Sequence, residues 1–106
     1  MKKALILLKS ANNRQANEDC AWQSSQLTMF CIANNVKPIG CVVSHAGIKD
    51  MEKRIKSSDR TKRFEYIVIY SPNQIAKSKE EYEWFINTMA EDFQVQVIPF
   101  RQIVGY

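Results

Sequence analysis

The sequence predicts an α/β fold: a mainly parallel sheet of four to five strands with helices on both faces, in three layers. Three observations carry this. Short runs rich in aliphatic and aromatic residues recur at residues 4–8, 39–43, 66–70 and 95–100. These runs are apolar throughout rather than alternating, as strands covered on both faces require. Between them lie stretches whose apolar residues recur every three or four positions, the helical spacing. The resulting order, β-α-β-α-β-α-β, implies parallel pairing through helical crossovers. All 106 residues are expected to form one domain, because no linker, repeat or low-complexity stretch divides them.

Each element has its own justification. Residues 4–8 form the first buried strand. Residues 10–17 are polar, without periodicity, and read as a loop. From 18 to 34 the positions Cys20, Gln23, Leu27, Phe30, Cys31 and Asn34 trace one helical stripe. Pro38 is expected to end that connection, and 39–43 to form the second strand. His45-Ala46-Gly47 reads as a turn. Ile48, Met51 and Ile55 predict a short basic amphipathic helix over 48–57. Residues 66–70 are β-branched and aromatic, a third strand. Ser71-Pro72-Asn73 signals a loop. Ser78-Lys79-Glu80-Glu81 reads as a capping box opening a helix whose core face is Tyr82, Phe85, Ile86, Met89 and Phe93. Residues 95–100 form a fourth strand, and Ile103–Val104 add an edge segment.

Charge is localised. The chain carries 15 Lys and Arg against 11 Asp and Glu, a net +4. Residues 49–63 alone hold seven basic and three acidic side chains, so they contain the whole excess. Such a stretch fits a polyanion partner, and equally a solvated helix face. Cys20, Cys31 and Cys41 are odd in number and lack a CxxC spacing, and His45 is the single histidine. No metal site and no cofactor are expected. Cys31 and Cys41 lie among apolar residues and read as core fillers. Free thiols point to a reducing, cytoplasmic setting. The apolar run after Lys2-Lys3 is too short for a signal core or a membrane span.

Ligands of open α/β sheets sit beyond the carboxyl ends of the strands, where strand order reverses. The loops after the first and third strands are therefore expected to bring Lys9, Ser10, Arg14, Asn73, Gln74 and Lys77 together. A hydroxyl among cationic and amide groups suits phosphate. GxGxxG, GxxxxGK[ST] and GxSxG are all absent, which removes the dinucleotide, Walker-type and hydrolase-elbow readings. Strand one ends in Lys9-Ser10 rather than in acids, against a magnesium-binding receiver.

At these positions the chain resembles the N-terminal catalytic domain of resolvase/invertase-type serine recombinases. The family's first strand runs into Arg-x-Ser, whose serine is the nucleophile; here it reads Leu8-Lys9-Ser10. The family's glutamine, leucine, aromatic and Asn-Gly correspond to Gln23, Leu27, Phe30 and Asn34-Asn35. Its Ser-Gly pair and following catalytic arginine correspond to Ala46-Gly47 with Lys53 and Arg54. Its Asp-Arg-Leu-x-Arg corresponds to Asn73-Gln74-Ile75-Ala76-Lys77, and its Phe-Asp to Phe64-Glu65. The resemblance spans essentially the whole chain and implies metal-free attack of a serine hydroxyl on a DNA phosphodiester. It makes Ser10 the candidate nucleophile, with Lys9, Gln23, Lys53, Arg54, Asn73, Gln74 and Lys77 as candidate phosphate or DNA ligands.

Without a metal, guanidinium forks must stabilise the transferring phosphoryl group. Leu8, Asn73 and Gln74 supply none, and Lys77 keeps charge without the fork. Losing one such donor commonly costs ~10²–10³ in rate. Three functions stand at this point: a recombinase domain with impaired strand cleavage, a non-enzymatic recombinase-like domain for dimerisation or DNA-associated regulation, and an unrelated α/β domain binding a phosphorylated ligand at the same strand ends. Expected partners are DNA, bound weakly without a separate recognition module, and a further copy of the chain; no membrane is expected. Trp22 and Trp84 read as packing or self-association residues.

Overall fold

The computed structural model describes residues 1–11, 13–57 and 63–101. Its sheet is four-stranded and entirely parallel, in the order β2-β1-β3-β4. The strands are β1 (Lys2–Lys9), β2 (Val36–Ser44), β3 (Tyr66–Ile69) and β4 (Gln96–Pro99). The helices are α1 (Arg14–Ala33), α2 (Ile48–Ser57), α3 (Pro72–Ile75) and α4 (Lys79–Thr88), the last running on into a π-helical turn, Met89–Phe93. The proposed edge segment at 103–104 lies outside the described residues, as do Asp59, Arg60 and Lys62 of the basic stretch.

The sheet has two unequal coats. On one face, α1 sets Cys20, Leu27 and Cys31 against Ala4, Ile6, Leu8 and Val68. On the other, α2, α3, α4 and the π-helical turn bury Ile48, Met51, Ile55, Ile75, Phe85 and Met89 against Leu5, Leu7, Ile67 and Ile69. Alternate residues of β1 thus enter opposite cores, which explains the unbroken apolar run from residue 4 to residue 8.

Local chemistry moved several boundaries. Helix α1 starts at Arg14, four residues before the expected start. Asn13 caps it by accepting from the Ala16 amide at 2.9 Å, and the pairs Arg14–Glu18 and Gln15–Asp19 carry the polar first turns. Pro38 does not end the connection; it lies inside β2. A register shift opposite Ala4 and Leu5 skips one residue there, and β2 is an edge strand, where a proline costs no ladder bond on the open side. Residues 72–75 form a helical turn rather than a loop, with Pro72 at its first position, where a missing N–H is harmless. Cys41 is exposed rather than a core filler, because it stands on that edge strand. The cap at Ser78 forms, its hydroxyl accepting from the Glu81 amide at 3.2 Å; the Glu81 carboxylate reaches back one residue further than expected, to the Lys77 amide at 3.3 Å.

The strand order reverses between β1 and β3. Both strands end at the same edge of the sheet, Leu7 standing opposite Ile69. The residues that follow them therefore face one crevice.

Candidate functional site

Ser10 is the first residue beyond β1. Its amide donates to the Ser44 carbonyl at 2.8 Å, tying the end of β1 to the end of β2, and the residue is 4% exposed. Among the described residues its hydroxyl makes one long hydrogen bond, 3.5 Å to Asn17 Oδ1 on the first turn of α1. His45 Nδ1 lies 2.9 Å from the Ser10 carbonyl oxygen. A carbonyl only accepts, so Nδ1 carries the proton in this contact. The imidazole thus engages the backbone of Ser10 and not its hydroxyl.

Beyond β3, the Ser71 hydroxyl donates to Asn73 Oδ1 at 2.8 Å. Gln74 Nε2 donates to Gln23 Oε1 on α1, so the structure joins these two sequence-predicted residues directly. The side-chain oxygen Oε1 of Gln74 is buried and meets no donor among the described residues. The hydrogen-bonded side chains beyond β1 and β3 are hence hydroxyls and amides, with the His45 imidazole on the Ser10 backbone.

Among the described residues, no hydrogen bond joins the predicted cations to these side chains. Lys9 is half-buried at the end of β1, where its carbonyl accepts weakly from the Cys20 thiol. Arg14 points into solvent, its guanidinium on Glu18 at 3.4 Å. Lys77 is exposed and its backbone serves the start of α4. Lys53 and Arg54 are exposed on α2, beside a shallow groove between that helix and Cys41, Val42 and Val43 of the β2 edge.

Sequence reasoning missed a second hydrogen-bonded chain here. The fully buried Ser44 donates to Asp50 Oδ2 at 2.6 Å, and Arg54 Nε donates to the same oxygen at 2.8 Å. A serine before the His45 turn and an acid in the first turn of a basic helix are its only sequence signals. Arg54 is therefore partly neutralised in place.

Asp50 and Glu52, both on α2, respond to pH in opposite senses. Hydrogen bonds from Ser44 and then Arg54 hold the Asp50 carboxyl below its ordinary value. Its stabilising contribution is present above the ordinary aspartate range and is lost as pH falls through the lowered value. Burial pushes Glu52 up, with Asp92 adding to the rise and Lys56 and Lys49 opposing it, and its Oε1 has no hydrogen-bond partner among the described residues. The folded state then holds the Glu52 proton more tightly, so Glu52 subtracts stability as pH climbs past the ordinary glutamate range. Urea midpoints measured across pH should separate them. Asp50→Asn loses stability at neutral pH and flattens the acid limb, whereas Glu52→Gln gains stability at neutral pH and loses the gain in acid. An unchanged acid limb in Asp50→Asn would contradict the assignment.

Among the described residues no group of three or more His, Cys, Asp or Glu is placed to hold a metal ion, and no helix is long and apolar enough to cross a membrane. Burial raises the thiol of Cys31, which leaves it the unreactive protonated form. The chain matches no family model, no curated protein and no solved structure.

Proposed function

We propose that this chain is a resolvase-like domain that associates with DNA without cleaving it, a recombinase-type fold kept for regulation or assembly after its phosphoryl-transfer chemistry was lost. The observation that carries the reading is the hydrogen bond from Gln74 to Gln23, which commits to a neutral amide pair the position where the family resemblance calls for an arginine. A phosphoserine pathway needs an accessible hydroxyl, a route for its proton and charge opposite the phosphoryl oxygens. Ser10 is 4% exposed, its hydroxyl bonds to an amide at 3.5 Å, and His45 is turned to its carbonyl. The DNA half of the reading rests on the exposed cations of α2.

Incubation with nicked duplex DNA, followed by denaturing electrophoresis, tests the reading. The expected result is no covalent adduct, and equal duplex retention by the parent and Ser10→Ala proteins. An adduct that disappears in Ser10→Ala would restore the recombinase activity. Absence of any salt-sensitive retention would remove DNA as the partner.

A further inference from the structure

The two faces of the sheet are not equally covered. Among the described residues, helix α1 packs mainly on β1 and β2; on the same face it reaches Val68 of β3 with Leu27 and Cys31, and Tyr70 and Phe100 with the rings of Trp22 and Phe30. Residues of β3 that point this way are Tyr66, Val68 and, just beyond the strand, Tyr70; β4 adds Ile98 and Phe100. Tyr66, Tyr70, Ile98 and Phe100 are all half-buried. They floor a groove of about 260 Å³ at the Phe30 and Tyr66 end. The rings run on as a connected row. Phe30 meets Phe100 edge-on at 5.4 Å, Phe100 meets Tyr70 at 5.9 Å, and Tyr70 meets Trp22 edge-on at 6.1 Å. Trp22 is 53% exposed.

Two cations mark the ends of this trough. Lys2 Nζ lies 5.5 Å from the centre of the Tyr66 ring, and the Arg101 guanidinium lies 5.7 Å from that of Tyr70. Tyr66 and Tyr70 stand four positions apart along an extended chain, a span of about 13 Å. A sheet face that the described residues cover only in part, with aromatic rings and a cation at each end, is complementary to a strand that carries flat bases and regularly spaced negative charge. A purely apolar partner would leave both cations facing hydrocarbon, and a duplex keeps its base faces stacked against one another.

We infer that the β3–β4 face binds single-stranded DNA, with bases stacking on Tyr66, Tyr70 and Trp22 and phosphates meeting Lys2 and Arg101. In the free protein the two cations cover the rings; on binding, each moves to a phosphate as a base takes the ring face. The inference rests on the DNA reading above only for the choice of DNA over RNA, and uses a different surface from α2.

Fluorescence provides the test, because Trp22 and Trp84 lie on different helices. In a Trp84→Phe background only Trp22 reports. Titration with a short oligothymidylate is expected to quench it saturably. Tyr70→Ala should weaken binding roughly fivefold or more, the loss of one stacked base. Because that variant also removes packing, Lys2→Gln and Arg101→Gln give an independent reading at the surface: each should lower the salt slope by about 0.7. The inference is overturned by an absence of quenching, by equal quenching with a duplex of the same length, by unchanged slopes in both charge variants, or by tighter binding of oligouridylate. Loss of duplex retention on neutralising α2, with Trp22 quenching intact, supports the inference as a site separate from the duplex surface.

Discussion

Phe85→Ala is expected to remove most of the stability of the fold. Phe85 is fully buried and is the largest buried side chain among the described residues; it projects from α4 into the core formed with α2, α3 and the sheet. Truncating a buried phenylalanine typically costs about 3–5 kcal/mol, combining lost transfer energy with the cavity left behind. A domain of this size has about 5–15 kcal/mol in total. Urea unfolding followed by far-UV circular dichroism should show the midpoint falling by a third or more, or no cooperative transition at all. Two comparisons locate the effect. Leu27→Ala, fully buried under the opposite face, should cost about 2–5 kcal/mol. Met29→Ala, two residues along the same helix and 63% exposed, should stay within about 0.5 kcal/mol. A Phe85→Ala protein within about 1 kcal/mol of the parent would mean that α4 does not anchor that core.

The second large effect concerns duplex DNA and the charge of α2. If that helix supplies the electrostatic attraction, neutralising Lys49, Lys53 and Lys56 together should reduce the slope of log affinity against log salt by up to about 2.7, or about 0.9 for each phosphate that no longer meets a cation. That corresponds to about 10²-fold weaker retention near 0.1 M salt. Arg54→Gln alone should change the slope by less than one lysine does, because Asp50 lies 2.8 Å from its Nε and already offsets its charge. Lys53→Gln beside Arg54→Gln is the decisive pair. Equal slopes for the two would show that the Ser44–Asp50–Arg54 chain opens on the DNA; an unchanged slope in the triple variant would remove α2 as the DNA-facing element.

The Asp50 bond also bears on the family resemblance. A phosphate-binding arginine must offer its fork to the ligand. Arg54 instead commits its Nε to a carboxylate fixed by a buried serine. Together with the amide pair at Gln23 and Gln74, this leaves the strand-end crevice rich in neutral donors and acceptors, while the positive charge stands on the flank of the sheet.

Legibility varied with the range of the interactions involved. The four strands and the core positions of α2 and α4 could be read directly: Ile48, Met51 and Ile55 are buried, as are Phe85 and Met89, with Tyr82, Ile86 and Phe93 packed beside them. Helix α1 was readable along its buried stripe but not at its start, where one asparagine cap outweighs a lack of apolar periodicity. Pro38 and Cys41 depart from their sequence expectation for a common reason: both stand on β2, and only the strand order reveals that β2 is an edge. Of the candidate site, Gln23 and Gln74 lie 51 residues apart, and no local pattern links them; their hydrogen bond exists because α1 and the turn after β3 converge on one crevice.

The sequence by itself determined the α/β class, the alternation of elements, the two-sided burial of the first strand and the confinement of net charge to one segment. Each follows from periodicity or composition, which are local properties of the chain. Only the tertiary structure decided which strands lie at the edges, that Arg54 is tied to Asp50, that Ser10 is buried beside Asn17, and that aromatic residues from α1, β3 and β4 line one partly covered face. Those facts depend on which distant segments become neighbours, and that is fixed by packing two coats of helices onto one sheet, a balance no single stretch of the chain contains.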